Sequence, residues 1–423
     1  MKLAAKILLI IQILVFCVSC SPKIDVIEPI IPECEYDCND LSKLEVVWSV
    51  PLNGFDDNNS NLKPFIYGNS VIVGATPTHS NNEIIYSFDI LTGKKNWEWK
   101  NYLNYDNPTS EIFVCGNLAA FSYSFRDYVF DLNSGETLWR YETPLGISSS
   151  PRFSVINNFI YHPTEVEGVA VDSVASIART SVYSPNWEIL YTMKRDSTLT
   201  DVNLEPPSLW VNPDQDSVLI FQRRSYNWIY NYDYQELLAF NLKTRKLVWK
   251  IKNIDSPSYS SVHPILISNN IGYFFGGIIV YAIDLLKGKI LWTSNGVTQN
   301  SNGLTNASCL IIDDKLVIKT NDRYVYALDK VSGKLKWFRE IDMGYITGPL
   351  VYSLGRIYLQ IFERLCCIDA NTGVLIFKYR SPNAKRKDHS AKYYGTGGVA
   401  IDPVRKLIFI ADSYYLNCMK IPD

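Results

Sequence analysis

Two stretches, AIDLLKGKILW at residues 282–292 and ALDKVSGKLKW at residues 327–337, are variants of one pattern. Each passes through an aspartate (Asp284, Asp329), reaches a glycine four residues later (Gly288, Gly333) and ends on a tryptophan four further on (Trp292, Trp337). The apolar alternation before the aspartate, as at residues 324–328, reads as a β-strand, and the residues after the glycine read as a second one. An aspartate side chain accepts backbone N–H groups across a tight turn, and glycine takes the positive φ that closes it. The tryptophan then sits at a fixed register, where its large area can pack against a neighbouring unit.

The spacing recurs at Asp89, Gly93 and Trp97 and at Asp131, Gly135 and Trp139. In a chain of this composition the triplet should arise by chance roughly 0.03 times, so four copies are an internal repeat. Asp369, Gly373 and Phe377 keep a ring without the indole, while Asn241, Arg245 and Trp249 keep the spacing with two substitutions. Trp187 marks a seventh, degenerate copy, and Trp48 ends an isolated strand at residues 44–50. Separations between successive rings stay mostly in the forties, which unrelated hairpins would not produce. Pro64, Pro151, Pro264 and Pro349 each open a strand, loop, strand pattern, and proline is tolerated at a strand's first residue. Four strands in forty-odd residues make a propeller blade. After seven ring-ended units, residues 398–421 offer only about three strands, and the strand at 44–50 has no blade. Joining the two covers both exposed edges. The expected fold is therefore all-β: an eight-bladed β-propeller of four-stranded antiparallel blades, its last blade closed by the N-terminal strand. Trp48, Trp97, Trp139, Trp249, Trp292, Trp337 and Phe377 are expected to dock one blade on the next.

This repeat resembles the tryptophan-docking motif of the quinoprotein (PQQ-like) propeller superfamily, over essentially all of the chain after residue 43. Within that superfamily, a chain of this length made only of propeller is similar to the BamB-type outer-membrane assembly lipoproteins. The resemblance implies a non-enzymatic scaffold tethered to the outer membrane and facing the periplasm, with envelope proteins, the β-barrel assembly machinery among them, as partners. It also carries an alternative, a dehydrogenase holding pyrroloquinoline quinone and calcium in the central funnel. A glycan-binding surface lipoprotein, suggested by the many Tyr and Trp residues, is the third reading. The repeat specifies the fold far more narrowly than any of these functions.

The composition of the 423 residues agrees with a globular β protein. Hydrophobic residues make up 47%, charged residues 20% and aromatics 13%, with 28 Tyr and 10 Trp. A formal charge of −2 leaves no basic surplus to neutralise a row of phosphates, so nucleic acid is not an expected partner. Residues 1–19 read as a signal peptide, with Lys2 and Lys6 ahead of an apolar stretch at 7–18 that is too short to span a bilayer core of about 30 Å. Cys17, Val18, Ser19 and Cys20 resemble a bacterial lipobox, which implies acylation of Cys20. Residues 20–43, with Pro22, Pro29 and Pro32, read as a flexible tether of up to about 60 Å, and 44–423 as a single propeller.

The turns marked by Asp and Gly are short, whereas residues 56–62, 101–110, 194–206, 296–307 and 381–397 read as long connections at the opposite end. Long loops rich in Asn, Ser, Tyr and Gly on a rigid scaffold suit binding. Within one insertion, Arg223, Arg224, Tyr226, Trp228, Tyr230, Tyr232 and Tyr234 are the partner-binding candidates, because aromatics on every second residue of an extended hairpin are expected on one side. Lys385, Arg386 and Lys387 read as a solvated loop. No catalytic set and no metal ligands are expected. His79, His162, His263 and His389 are scattered, without metal-ligand spacing or a nucleophile partner. Cys366 and Cys367 fall in a third strand, where neighbours point to opposite faces, and read with Cys115, Cys309 and Cys418 as core thiols. Cys34 and Cys38 in the tether are left open between a disulfide and free thiols.

Overall fold

The strand that ends on each repeat aspartate is buried on both sides. In Ile84–Asp89, Arg126–Asp131, Ile279–Asp284, Tyr324–Asp329 and Arg364–Asp369 the four central residues are all buried. A strand covered on both faces needs such a run, and here the cover comes from the sheets on either side. The computed structural model describes residues 44–52, 63–75, 84–100, 112–123, 126–142, 147–149, 153–166, 174–194, 201–227, 232–252, 254, 264–276, 279–295, 308–320, 323–341, 348–361, 364–383 and 397–422. They form eight antiparallel sheets in sequence order, the blades of a β-propeller, and no helix. The core is divided accordingly: eight apolar clusters each lie between two neighbouring blades. Cys366 belongs to the cluster between blades 6 and 7 and Cys367 to the one between 7 and 8, so their side chains diverge.

Blade 8 closes the ring from both chain ends. Val399–Asp402, Leu407–Ala411 and Tyr415–Lys420 supply its first three strands and Val46–Pro51 the fourth, with Trp48 opposite Cys418 and Pro51 opposite Tyr415. A buried polar knot pins this seam. One carboxylate oxygen of Asp412 accepts from Ser381 Oγ, Asn383 Nδ2 (3.1 Å) and Asn417 Nδ2 (2.9 Å), and the other from the Tyr414 and Tyr415 N–H groups (2.9 and 2.7 Å). Asn417 Oδ1 in turn accepts from Ser49 of the N-terminal strand at 2.8 Å.

The repeat aspartates work as turn acceptors. Asp329 Oδ1 takes the Ser332 hydroxyl (2.8 Å) and the Ser332 and Val331 N–H groups (2.8 and 3.2 Å), and the hydroxyl is the main reason its carboxyl titrates below the usual range. The glycines follow from what stacks on them. Gly333 has φ of +71°, and a Cβ there would lie 2.6 Å from Trp292 of the preceding blade. Trp97 meets Gly135, Trp249 meets Gly288, Trp337 meets Gly373 and Trp48 meets Gly93 in the same way. Several of these indoles also donate to a carbonyl on the next blade: Trp48 to Ile90, Trp97 to Leu132, Trp139 to Val182 and Trp249 to Leu285, at 2.7–3.2 Å. Phe377 lies in the cluster between blades 7 and 8 with Leu44 and Ile421, where the chain ends replace the turn.

Blade 3 departs from the pattern. Its third and fourth strands join through two residues, Val182 and Tyr183, with Ser181 paired to Ser184. The shorter turn, together with a bulge one residue longer between Ser184 and Trp187, slips the fourth strand by one position, and Glu188, opposite Arg179, takes the place that Trp97 holds opposite Ser87. Glu188 pairs there with Arg245, which stands where glycine stands in other blades, with φ of 57°. Trp187, read from sequence as this blade's repeat ring, faces back instead. It stacks on Tyr141 (centroids 4.8 Å, 22°) and on His162 (5.3 Å, 10°). An exposed ion pair contributes at most about 1 kcal/mol, so this interface relies on its other apolar contacts.

Candidate functional site

The connections between blades leave from the C-terminal ends of the fourth strands, opposite the Asp and Gly turns. Residues 56–62, 101–110 and 296–307, most of 381–397 and residues 195–200 lie outside the described residues. On this face blades 3 and 4 rise above the rest. Phe159–Val166, Val174–Ser181, Ser184–Lys194, Ser217–Asn227 and Tyr232–Asn241 have 8 to 11 residues, against mostly six in corresponding strands elsewhere. Two further strands line the extensions: Ile147–Ser149 pairs with residues 164–166, and Asp201–Leu204 with residues 223–226. Residues 194–206, expected as a loop, thus contain a strand. A lengthened second strand exposes an unpaired edge, and the incoming chain covers it.

The candidate hairpin is built as a regular ladder. Arg223 stands opposite Glu236, Arg224 opposite Gln235, Ser225 opposite Tyr234, Tyr226 opposite Asp233 and Asn227 opposite Tyr232. Paired residues share a face, so Tyr226 stands on one face of the ladder and Tyr232 and Tyr234 on the other. The alternation in sequence does not survive the turn, because four residues separate the last pair and exchange odd for even positions. Trp228 and Tyr230 lie outside the described residues. Arg223 is engaged in the blade itself: its Nη1 donates to Glu236 Oε2 at 2.9 Å, and Lys250 Nζ stands 3.5 Å from the same buried carboxylate. Gln222 Nε2 donates to Gln235 Oε1 at 3.1 Å beside it. Arg224 is half-buried one position further along the strand.

Two groups that sequence reading did not single out are buried titratable side chains. Between blades 2 and 3, His162 Nε2 lies 3.0 Å from Asp127 Oδ2, with His162 stacked between Trp187 and Phe153. Both are sealed from solvent, which gives a substrate no route to them. Lys319, at the end of Lys315–Lys319, is 1% exposed and donates from Nζ to the Gly348 carbonyl. Desolvation pushes its ammonium down from 10.5 to about 7. Unfolded chains hold that proton up to about 10.5, so this group leaves folding unpenalised above that pH, and stability falls as pH drops from there through 7. Lys319→Met is expected to raise stability at pH 7 by about 2 kcal/mol, a gain that vanishes near pH 10.5. Urea denaturation at both pH values checks it.

None of the five described cysteines is in a disulfide. Burial pushes the Cys309 and Cys367 thiols up, and Cys418 to about 12, the reverse of a reactive thiolate. Cys20, Cys34, Cys38, His79, His263, His389 and residues 385–387 lie outside the described residues. Among the described residues no three His, Cys, Asp or Glu side chains converge as cation ligands. The thiols of Cys366 and Cys367 are directed into different apolar clusters, as core residues of the blade.

Comparison with known proteins bears on the whole ring. The family profile described as "Outer membrane protein assembly factor BamB" matches residues 38–159 and 215–350. Residues 160–214, between the two matches, contain most of blade 3, with its two-residue turn, displaced tryptophan and extended strands. No curated protein matches the sequence. Among solved structures the chain is similar to the computationally designed Ika8 protein, at 13% identity over 89% of this chain and 100% of that one, with a TM-score of 0.61. It is also similar to quinohemoprotein alcohol dehydrogenase from Comamonas testosteroni, at 10% identity over 92% and 79%, with a TM-score of 0.63. BamB from Moraxella catarrhalis aligns at 14% identity over 75% and 97%, with a TM-score of 0.49. Likeness at such identities speaks to the fold alone.

Proposed function

Because the chain belongs to the family described as outer membrane protein assembly factor BamB, we infer that it serves in the bacterial cell envelope as a lipid-tethered, non-enzymatic scaffold that holds protein partners on its long-loop face and assists outer-membrane β-barrel assembly. The family profile, which spans more than half of the chain, carries this reading. Its support on the molecule is the raised edge of blades 3 and 4, whose strands lengthen on that face. A rigid ring with a local, irregular elevation suits recognition of one partner better than a uniform surface would. On this reading Cys20 carries the lipid, the hairpin from Arg223 to Tyr234 contributes to the partner surface, and no cofactor takes part.

Affinity capture of the tagged chain from detergent-solubilised membranes tests it. The β-barrel assembly machinery is expected to co-purify, and Arg224→Glu is expected to cut its recovery at least about fivefold. Reproducible absence of that machinery from the captured proteins would remove the assembly role. Titration with pyrroloquinoline quinone and calcium separates the dehydrogenase alternative, since cofactor absorbance together with dye reduction by alcohols would overturn the non-enzymatic reading.

A further inference from the structure

The short-turn face is trimmed but not polar. Leu91, Leu286 and Val331 stand two residues after the turn aspartates of blades 1, 5 and 6 and are 60%, 50% and 71% exposed. Tyr183 takes the corresponding apex in blade 3 at 66%, and Leu354 and Val404 stand in the other short turns of blades 7 and 8 at 49% and 88%. Apices of tight turns ordinarily favour Gly, Asn, Asp and Ser, and single exposed apolar residues scattered over a surface carry no meaning. Here they share one face, and five of the six belong to the contiguous arc of blades 5, 6, 7, 8 and 1.

Exposed cations accompany four of them: Lys94 after Leu91, Lys287 after Leu286, Lys334 after Val331, and Arg405 and Lys406 after Val404. One oxygen of each turn carboxylate is held within its turn, while Oδ2 of Asp284 stands 3.5 Å from Lys287 Nζ and Oδ2 of Asp402 accepts from Arg405 Nη1 at 2.7 Å. Oδ1 of Asp89, Asp284, Asp329 and Asp402 accepts backbone N–H groups of its own turn at 2.8–3.2 Å. Each turn ends outward in an apolar group beside a cation, and Lys94 and Lys334 are exposed next to Leu91 and Val331, a composition that suits contact with anionic lipid.

The chain also enters the ring on this face. Fourth strands begin where the Asp and Gly turns end, and Val46–Pro51 is the fourth strand of blade 8, with the Glu45 carbonyl accepting from Lys420 N–H at 2.9 Å. Leu44, the first described residue, therefore lies at the short-turn end, and on the reading that residues 20–43 are a tether a chain of that length spans about 27 Å root-mean-square. We propose that the short-turn face rests on an anionic bilayer surface, with Leu91, Leu286, Val331 and Val404 dipping among the headgroups and the neighbouring exposed lysines on the phosphates. The proposal rests on the reading that Cys20 is acylated, and it turns the long-loop face away from the bilayer.

Vesicles of phosphatidylethanolamine and phosphatidylglycerol test it with the mature chain carrying Cys20→Ser, so that only the protein surface binds. This chain is expected to float with the vesicles, and raised salt to weaken it. Combining Leu91→Asn, Leu286→Asn, Val331→Asn and Val404→Asn should lower the bound fraction about tenfold or more, with the unfolding temperature unchanged because all four side chains are exposed. The proposal falls if the fourfold variant floats like its parent, or if the Cys20→Ser chain does not float at all. It also falls if the variant loses self-association while flotation persists, which would make a second copy the occupant. The mass of Cys20 in protein extracted from membranes reports acylation separately. A failed capture of the assembly machinery concerns the opposite face and leaves this outcome intact.

Discussion

Asp412→Ala is expected to destabilise the ring by about 3–5 kcal/mol, read as a fall in the midpoint of chemical denaturation. The side chain is fully buried where three parts of the chain meet: Ser381 and Asn383 after blade 7, Asn417 on the third strand of blade 8, and Ser49 on the N-terminal strand through Asn417. Removing it takes a buried acceptor from the Ser381 hydroxyl, the Asn383 and Asn417 amides and the Tyr414 and Tyr415 N–H groups, and each donor left without a partner costs about 1–3 kcal/mol. The loss falls on the one blade whose strands come from both chain ends, so it should also loosen Val46–Pro51. Limited proteolysis ahead of Trp48 should quicken in the variant. An unchanged midpoint would mean that Asp412 does not pin the seam.

Gly333→Ala is the second large effect, expected at about 2–4 kcal/mol. Its Cβ would stand 2.6 Å from Trp292 Cε3 and 2.8 Å from Cδ2, where carbon atoms ordinarily approach to about 3.5–4 Å. The indole must withdraw, and it is the contact between blades 5 and 6. Part of the loss comes from the backbone, because φ of +71° is unfavourable for alanine. Gly355→Ala supplies the control. Its φ is +73°, yet nothing lies within 4 Å of a Cβ there, so it should cost only about 1 kcal/mol. The difference between the two variants isolates the docking contact, and equal losses would show that the stacked ring adds no stability.

Where sequence and structure part company, the cause is register rather than composition. Trp187 has the right residue type at nearly the right distance, but a turn two residues shorter, followed by a bulge one residue longer, slips the register by one and hands the docking position to Glu188. A count of spacings cannot see this, since a shift of one residue along a strand moves every side chain to the other face. The aromatic alternation through residues 226–234 fails as a one-sided stripe for the same reason. No local signal marks Lys319 as buried or brings Asp127 beside His162, because those environments are made by a neighbouring blade.

The sequence by itself determined the blade, the number of blades and the way the circle closes. These follow from turn chemistry acting over nine residues and repeated along the chain, and short-range stereochemistry is legible wherever it recurs. Tertiary structure alone decided which tryptophans dock, which charges are buried and which apices share a face with the N-terminal strand, for these depend on how one sheet is set against the next.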